Sequence, residues 1–314
     1  MTDASARRPV LIFALLCFTW GTTWLAIKVG VTEVPPLWFA ATRFVVAGAL
    51  LLGFARLRGP WQLPTGPQFR GLLVMGALCI AICFGLIFWG EQYVDSGIAG
   101  VVVQGFVPIG LVGFAAVLGR EEVRAPAWIA VGLGVAGVAL IAFDSFGHEL
   151  GRYFLLGLLA VAIGTLFYDF GSVLGGDLLK QMSAVTASGW ENLLGGLMLL
   201  PVALLLEGDE LVSTRWWVSG DAWLAWGYLV VFGSLIGFTC YTYLLNAWGP
   251  TRTSAYAFIT PVLAFGVGWW FGDERFSPVV ALGAAVVVVA VAVLWVDRRR
   301  TAAAVADLPE KTSR

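Results

Sequence analysis

Apolar residues run in stretches of roughly twenty, the length of helix that crosses a hydrocarbon core about 30 Å thick. Ten such runs predict ten transmembrane helices, over 9–29, 36–55, 70–90, 97–118, 126–143, 153–173, 184–206, 222–246, 252–271 and 278–296. Polar stretches of any size are confined to the termini, an Arg/Pro/Gly-rich loop at 56–69, and a loop at 207–221 carrying Glu207, Asp209, Glu210 and Asp221. The first run follows Arg7 and Arg8 but is long for a signal-peptide core and lacks a small-residue cleavage site, so it is expected to be a retained span.

Composition agrees: 59% of residues are hydrophobic, 12% are charged and the mean hydropathy is +0.86, which leaves almost no soluble domain. Lys and Arg concentrate on the side that holds both ends, as at Arg7-Arg8, Arg56, Arg58 and Arg298-Arg299-Arg300, against only Lys28, Arg152, Arg215 and Arg275 opposite. Cytoplasmic loops carry that excess, so both termini are expected in the cytoplasm. Cys17, Cys79, Cys83 and Cys240 all fall inside predicted spans and imply no disulfide framework.

The chain repeats itself. A shift of 153 maps Pro108 onto Pro261, Gly113 onto Gly266, Gly119 onto Gly272, Glu121 onto Glu274 and Asp144 onto Asp297. A shift of 152 pairs Gly85 with Gly237, and one of 143 pairs Gly21-Thr22 with Gly164-Thr165. Two five-helix units follow, 1–148 and 149–314, and because five is odd the second must enter the membrane upside down. The expected fold is therefore all-α, ten transmembrane helices as two inverted five-helix repeats around a central cavity, an architecture of secondary transporters. Pro108 and Pro261 each remove a helical hydrogen bond and should kink helices four and nine as hinges or cavity openers, although proline is also simply commoner in membrane helices.

Trp20-Gly21 with Thr22-Thr23, Arg43 after Pro35-Pro36, and the Pro…Gly-x-Glu ends of spans four and nine resemble the EamA-type drug/metabolite transporter superfamily over roughly residues 9 to 297. The aromatic richness is similar to its aromatic amino acid exporters of the YddG type. The resemblance implies a bacterial inner-membrane exporter of aromatic and other large neutral amino acids, or related metabolites, working by alternating access. Export of drugs or other apolar organic solutes is the alternative.

A polar side chain left unpaired at membrane depth costs several kcal/mol, so such groups should face the interior. By depth these are Arg43, Gln104, Asp169, Glu191 and Asn192, with Thr22, Thr23 and Thr239 as lesser donors. Arg43 could hold a substrate carboxylate or a structural glutamate, or snorkel to the surface. Glu191 could bind an ammonium or a proton, or pair with Lys180. Gln104, one turn before Pro108, could bind substrate or satisfy the carbonyl that the proline frees. Asp169, near the end of span six, is expected to be solvated. Trp20, Trp24, Phe84, Phe88, Tyr168, Trp190 and Tyr241 could wall the cavity or fill the gap between halves. Spans five and ten, almost wholly Ala, Val, Gly, Leu and Ile, should be peripheral.

Other classes fare poorly. No lysine follows a glycine, so there is no phosphate-cradling loop. The one histidine, His148, cannot make a paired metal site, and Asp169 and Asp177 lie eight residues apart in one segment rather than on facing helices. No filter-like loop marks a channel. The chain is expected to be no enzyme and to need no cofactor or metal; its partners are a small-molecule substrate and the bilayer, not nucleic acid, with monomer and homodimer both open.

Overall fold

A computed structural model describes residues 3–59, 63–119, 125–144, 151–179, 181–214, 216–248, 253 and 255–306. Arg120, Glu121, Arg124, His148, Lys180, Arg215 and Arg252 lie outside the described residues. Among the described residues the structure is helical, without strands. The rods are α1 (Asp3–Glu33), α2 (Pro36–Arg58), α3 (Gly66–Glu91), α4 (Ser96–Val117), α5 (Ala125–Asp144), α6 (Gly151–Leu179), α7 (Ala184–Ser213), α8 (220–248), α9 (Tyr256–Phe271) and α10 (Pro278–Ala306).

Seven of these are long and apolar enough to cross a membrane: α1 to α4 and α6 to α8. The apolar parts of the other three are shorter, Trp128–Phe143, Tyr256–Phe271 and Pro278–Val293. The 16 residues of α9 reach roughly 24 Å, less than a hydrocarbon core of about 30 Å. At the ends the helices outrun the expected spans, α1 starting at Asp3 and α7 continuing to Ser213 through what the sequence reads as loop.

Helix starts follow side-chain chemistry. Pro36 occupies the first turn of α2, where no N–H is missed. Ser183, Ser219 and Ser277 each accept a backbone N–H, from Thr186, Ala222 and Val280, and so open α7, α8 and α10. Pro108 and Pro261 both lie within continuous helix.

Two helices carry a π-helical segment, Gly76–Ile82 in α3 and Leu229–Ile236 in α8. The shift of 153 that aligns Pro108 with Pro261 also carries Gly76 onto Leu229. π-turns insert a residue into the helical ladder and gather at functional sites.

Packing is made by small residues. α2 lies on α7 with Gly48 so close that an added Cβ would stand 2.8 Å from the Gly189 carbonyl oxygen, while Gly196 faces the Ala41 carbonyl in the same way at 3.0 Å. α5 pairs with α10 through Gly137 and Gly283, each pressed on the other's carbonyl. α3 meets α6 through Gly90 and Gly157. Such contacts bring backbones together for dispersion packing where lipid offers no hydrophobic drive. α4 lies on α9, α1 on α8 and α9, and α6 on α3 and α4, closing a ring around a central space, with α5 and α10 outside it.

Candidate functional site

The ring encloses a cavity of about 260 Å³. It runs from the level of Ile27, Arg43 and Ile87 toward Leu51 and Ser188, away from the α1–α2 connection. One wall is aromatic: Trp20 contacts Tyr241 and Tyr256 at 5.4 and 4.8 Å between ring centres, and those tyrosines contact each other at 6.0 Å. The Trp20 indole is fixed by donating to the Gly233 carbonyl at 3.2 Å, inside the π-helical segment of α8.

Of the residues singled out from the sequence, Trp20, Thr23, Trp24, Arg43, Phe84, Gln104, Tyr168, Glu191, Asn192 and Tyr241 line this cavity. Phe88 and Trp190 do not; Phe88 is fully buried behind Phe84 and touches it ring to ring at 6.3 Å. Phe44, Thr165, Ser188, Ser234 and Tyr256 line it without having been singled out. Phe44 follows Arg43 directly in an apolar run, where nothing in residue type separates an inward from a lipid-facing phenylalanine.

Arg43 is only 6% exposed, so it does not snorkel. Its guanidinium stacks 4.1 Å from the Phe44 ring centre, with Phe84 and Phe88 at 5.7 and 5.6 Å. Three aromatic faces replace part of the lost hydration. Its Nε has no hydrogen-bond partner, and neither has the Trp24 indole nitrogen, also in the cavity wall. Glu191 lines the cavity in reach of the Cys79 thiol. Asn192 donates to the Ser188 carbonyl at 2.8 Å, which leaves its amide oxygen free to accept.

Two carboxyls, Asp169 and Glu207, differ from expectation, and a third, Glu91, was not singled out from the sequence. Asp169 is fully buried rather than solvated, because α4 covers it, and neither of its oxygens has a hydrogen-bond partner. Glu91, the last residue of α3, is also fully buried with both oxygens unpartnered, within electrostatic range of Lys28 and Arg43. Glu207, expected in a loop, is part of α7 and accepts the Leu37 and Trp38 amides at 2.8 and 2.9 Å, capping α2.

Glu274 caps α4 in the same manner. Asp273 adopts φ 51°, the left-handed region in which the chain reverses, and Glu274 turns back to accept the Ser96 and Gly97 amides at 2.7 and 3.1 Å. Lys28 completes this end by donating to the Glu91 and Val94 carbonyls at 2.8 and 2.9 Å, at the C-terminus of α3. In the intervening connection burial raises the Asp95 carboxyl above its ordinary value, and the nearby Glu274 charge adds to the rise. At one end of the bundle these polar links tie α2 to α7, α1 to the end of α3, and α4 to the α9–α10 connection.

The profile of the EamA-like transporter family matches the chain twice, at residues 7–143 and 155–296. The uncharacterized inner membrane transporter YedA of Escherichia coli (strain K12) is 34% identical over 288 residues, covering 91% of this chain and 90% of that protein. Protein PagO of Salmonella typhimurium is 30% identical over 266 residues, 81% of this chain and 82% of its own. A crystal structure 21% identical in sequence superposes with a TM-score of 0.63, covering 94% of this chain and 99% of that one. At that identity the likeness concerns the fold alone.

Proposed function

Since the chain belongs to the EamA-like transporter family, we propose that it exports large neutral amino acids, aromatic ones first, across a bacterial inner membrane by alternating access. The observation that carries this reading is a pair of unmet donors, Arg43 Nε and the Trp24 indole N–H, in the wall of a cavity with an aromatic side that also holds the Glu191 carboxylate. Buried donors are rarely left empty, and a substrate carboxylate would fill both while Glu191 meets the ammonium. Trp20, Phe84, Tyr168 and Tyr241 would receive the apolar side chain. A volume of about 260 Å³ suits a small metabolite rather than a drug-sized ligand.

The helices are read as ten crossings in two inverted halves, 1–148 and 149–314. The double family match supports this, as does the packing of α2 on α7, α4 on α9 and α5 on α10, each helix with the one five places on. With both termini cytoplasmic, the end closed by Lys28, Glu207 and Glu274 is the outer one and the cavity reaches toward the cytoplasm. Pro108, Pro261 and the two π-helical segments are the places where the ring can flex.

Counterflow in proteoliposomes tests the reading: vesicles preloaded with unlabelled phenylalanine should accumulate labelled tracer above empty vesicles. Trp and Leu should compete, Lys and Glu should not. No accumulation for any amino acid, in protein folded by circular dichroism, overturns the amino-acid assignment and favours other apolar solutes.

A further inference from the structure

Asp169 stands outside the substrate cavity, yet one residue from Tyr168, which lines it. Its carboxyl is fully buried, both oxygens are unpartnered, and it rests against the backbone of α4 where Gly110 leaves room; a Cβ on Gly110 would collide with Asp169 Oδ2. The titratable groups facing it are Cys83 of α3 and Tyr256 of α9, both in the cavity wall and both in electrostatic range; α4 carries no ionisable side chain. Among the described residues no cation is in electrostatic range of it.

An ionised carboxylate at membrane depth with no donor and no counter-charge costs several kcal/mol, whereas the neutral acid avoids most of that. Ionisation therefore requires water or a donor to reach the carboxyl, and the way is blocked by the α4 backbone at Gly110. Pro108, two residues earlier, lacks the N–H that would stiffen α4 there. Proton release is thus tied to a movement of α4 against α6, and a ligand that binds one conformation better shifts the equilibrium between them.

We propose that Asp169 is a proton-binding site and that a proton passing inward through it drives the substrate outward. The proposal rests on the transport reading above. The step makes and breaks only the carboxyl O–H bond: the carboxylate takes a proton while α4 is open to the outer side and gives it up to the cytoplasmic side, with no other reactant. The competing reading makes Asp169 a neutral filler beside Gly110.

Two measurements decide it. Infrared difference spectra of the purified protein, wild type minus Asp169→Asn at neutral pH, should show a protonated-carboxyl C=O band that the variant lacks; this arm needs no substrate, and absence of the band overturns the proposal. In proteoliposomes made acid inside, wild type should accumulate labelled phenylalanine, while Asp169→Asn keeps counterflow but falls to the level of empty vesicles under the gradient. Retained counterflow also shows that the variant is folded. Gradient-driven uptake that survives in Asp169→Asn, or a wild type with counterflow and no response to the gradient, overturns the proton site and leaves transport standing. Failure of wild-type counterflow removes the amino-acid reading, while absence of the infrared band would still overturn the proton site.

Discussion

At one end of the bundle Glu207 and Glu274 each hold two backbone amides of a helix start, at 2.7 to 3.1 Å. By contrast, Arg43 Nε and both carboxyl oxygens of Asp169 in the interior, and both carboxyl oxygens of Glu91 at that same end, are buried with no hydrogen-bond partner. All four acids have less than a tenth of their surface exposed, so exposure alone does not separate them. Completeness of partners does. The caps neutralise the positive end of a helix and satisfy amides that would otherwise be orphaned, which is a structural role. Groups left incomplete in a native interior point to something that arrives later, a ligand or a proton.

The largest effect should come from breaking a cap. Glu207→Ala strands the Leu37 and Trp38 amides and removes two charge-assisted hydrogen bonds, each about 1.5–3 kcal/mol. A clear fall in the thermal midpoint in detergent is expected, with transport per folded molecule retained. A variant as stable as wild type but unable to transport would put Glu207 on the other side of the comparison.

Arg43→Gln should behave in the opposite way. Removing a buried guanidinium whose Nε is unsatisfied should leave stability unchanged or improve it. Apparent affinity in counterflow should fall by about 2–3 kcal/mol, roughly 30- to 150-fold, the size of one charged hydrogen-bonding pair. A loss of stability matching that of Glu207→Ala would mean that Arg43 chiefly serves Glu91, its electrostatic neighbour.

The contrast also explains what could be read without coordinates. Arg43, Gln104, Glu191 and Asn192 were placed inward by cost alone, because a polar group in hydrocarbon has few tolerable positions. The apolar α5–α10 pair was placed outside by the same rule. Glu207 and Glu274 were not identified as caps, since their amides lie 170 and 178 residues away in sequence and no periodicity encodes such a pairing. Asp169 was misjudged because distance along a helix says nothing about a neighbouring helix that covers it. The π-helical segments have no signature in hydropathy, which counts residues and not turns.

Thr42 offers the finest test, because it adjoins Arg43 in sequence but belongs to neither class. Its hydroxyl donates to the Trp38 carbonyl at 2.9 Å and accepts the Trp226 indole N–H at 3.2 Å. That places it in a separate small pocket with Trp38, Trp216, Trp223 and Trp226, on the other side of α2 from the guanidinium. Thr42→Val keeps the side-chain shape and deletes both bonds, so a loss of about 1 kcal/mol in stability is expected with counterflow affinity unchanged. Were Thr42→Val to weaken substrate binding as Arg43→Gln does, the division of α2 into a cavity face and a packing face would fail. The effect would then track position along the helix rather than the direction in which each side chain points.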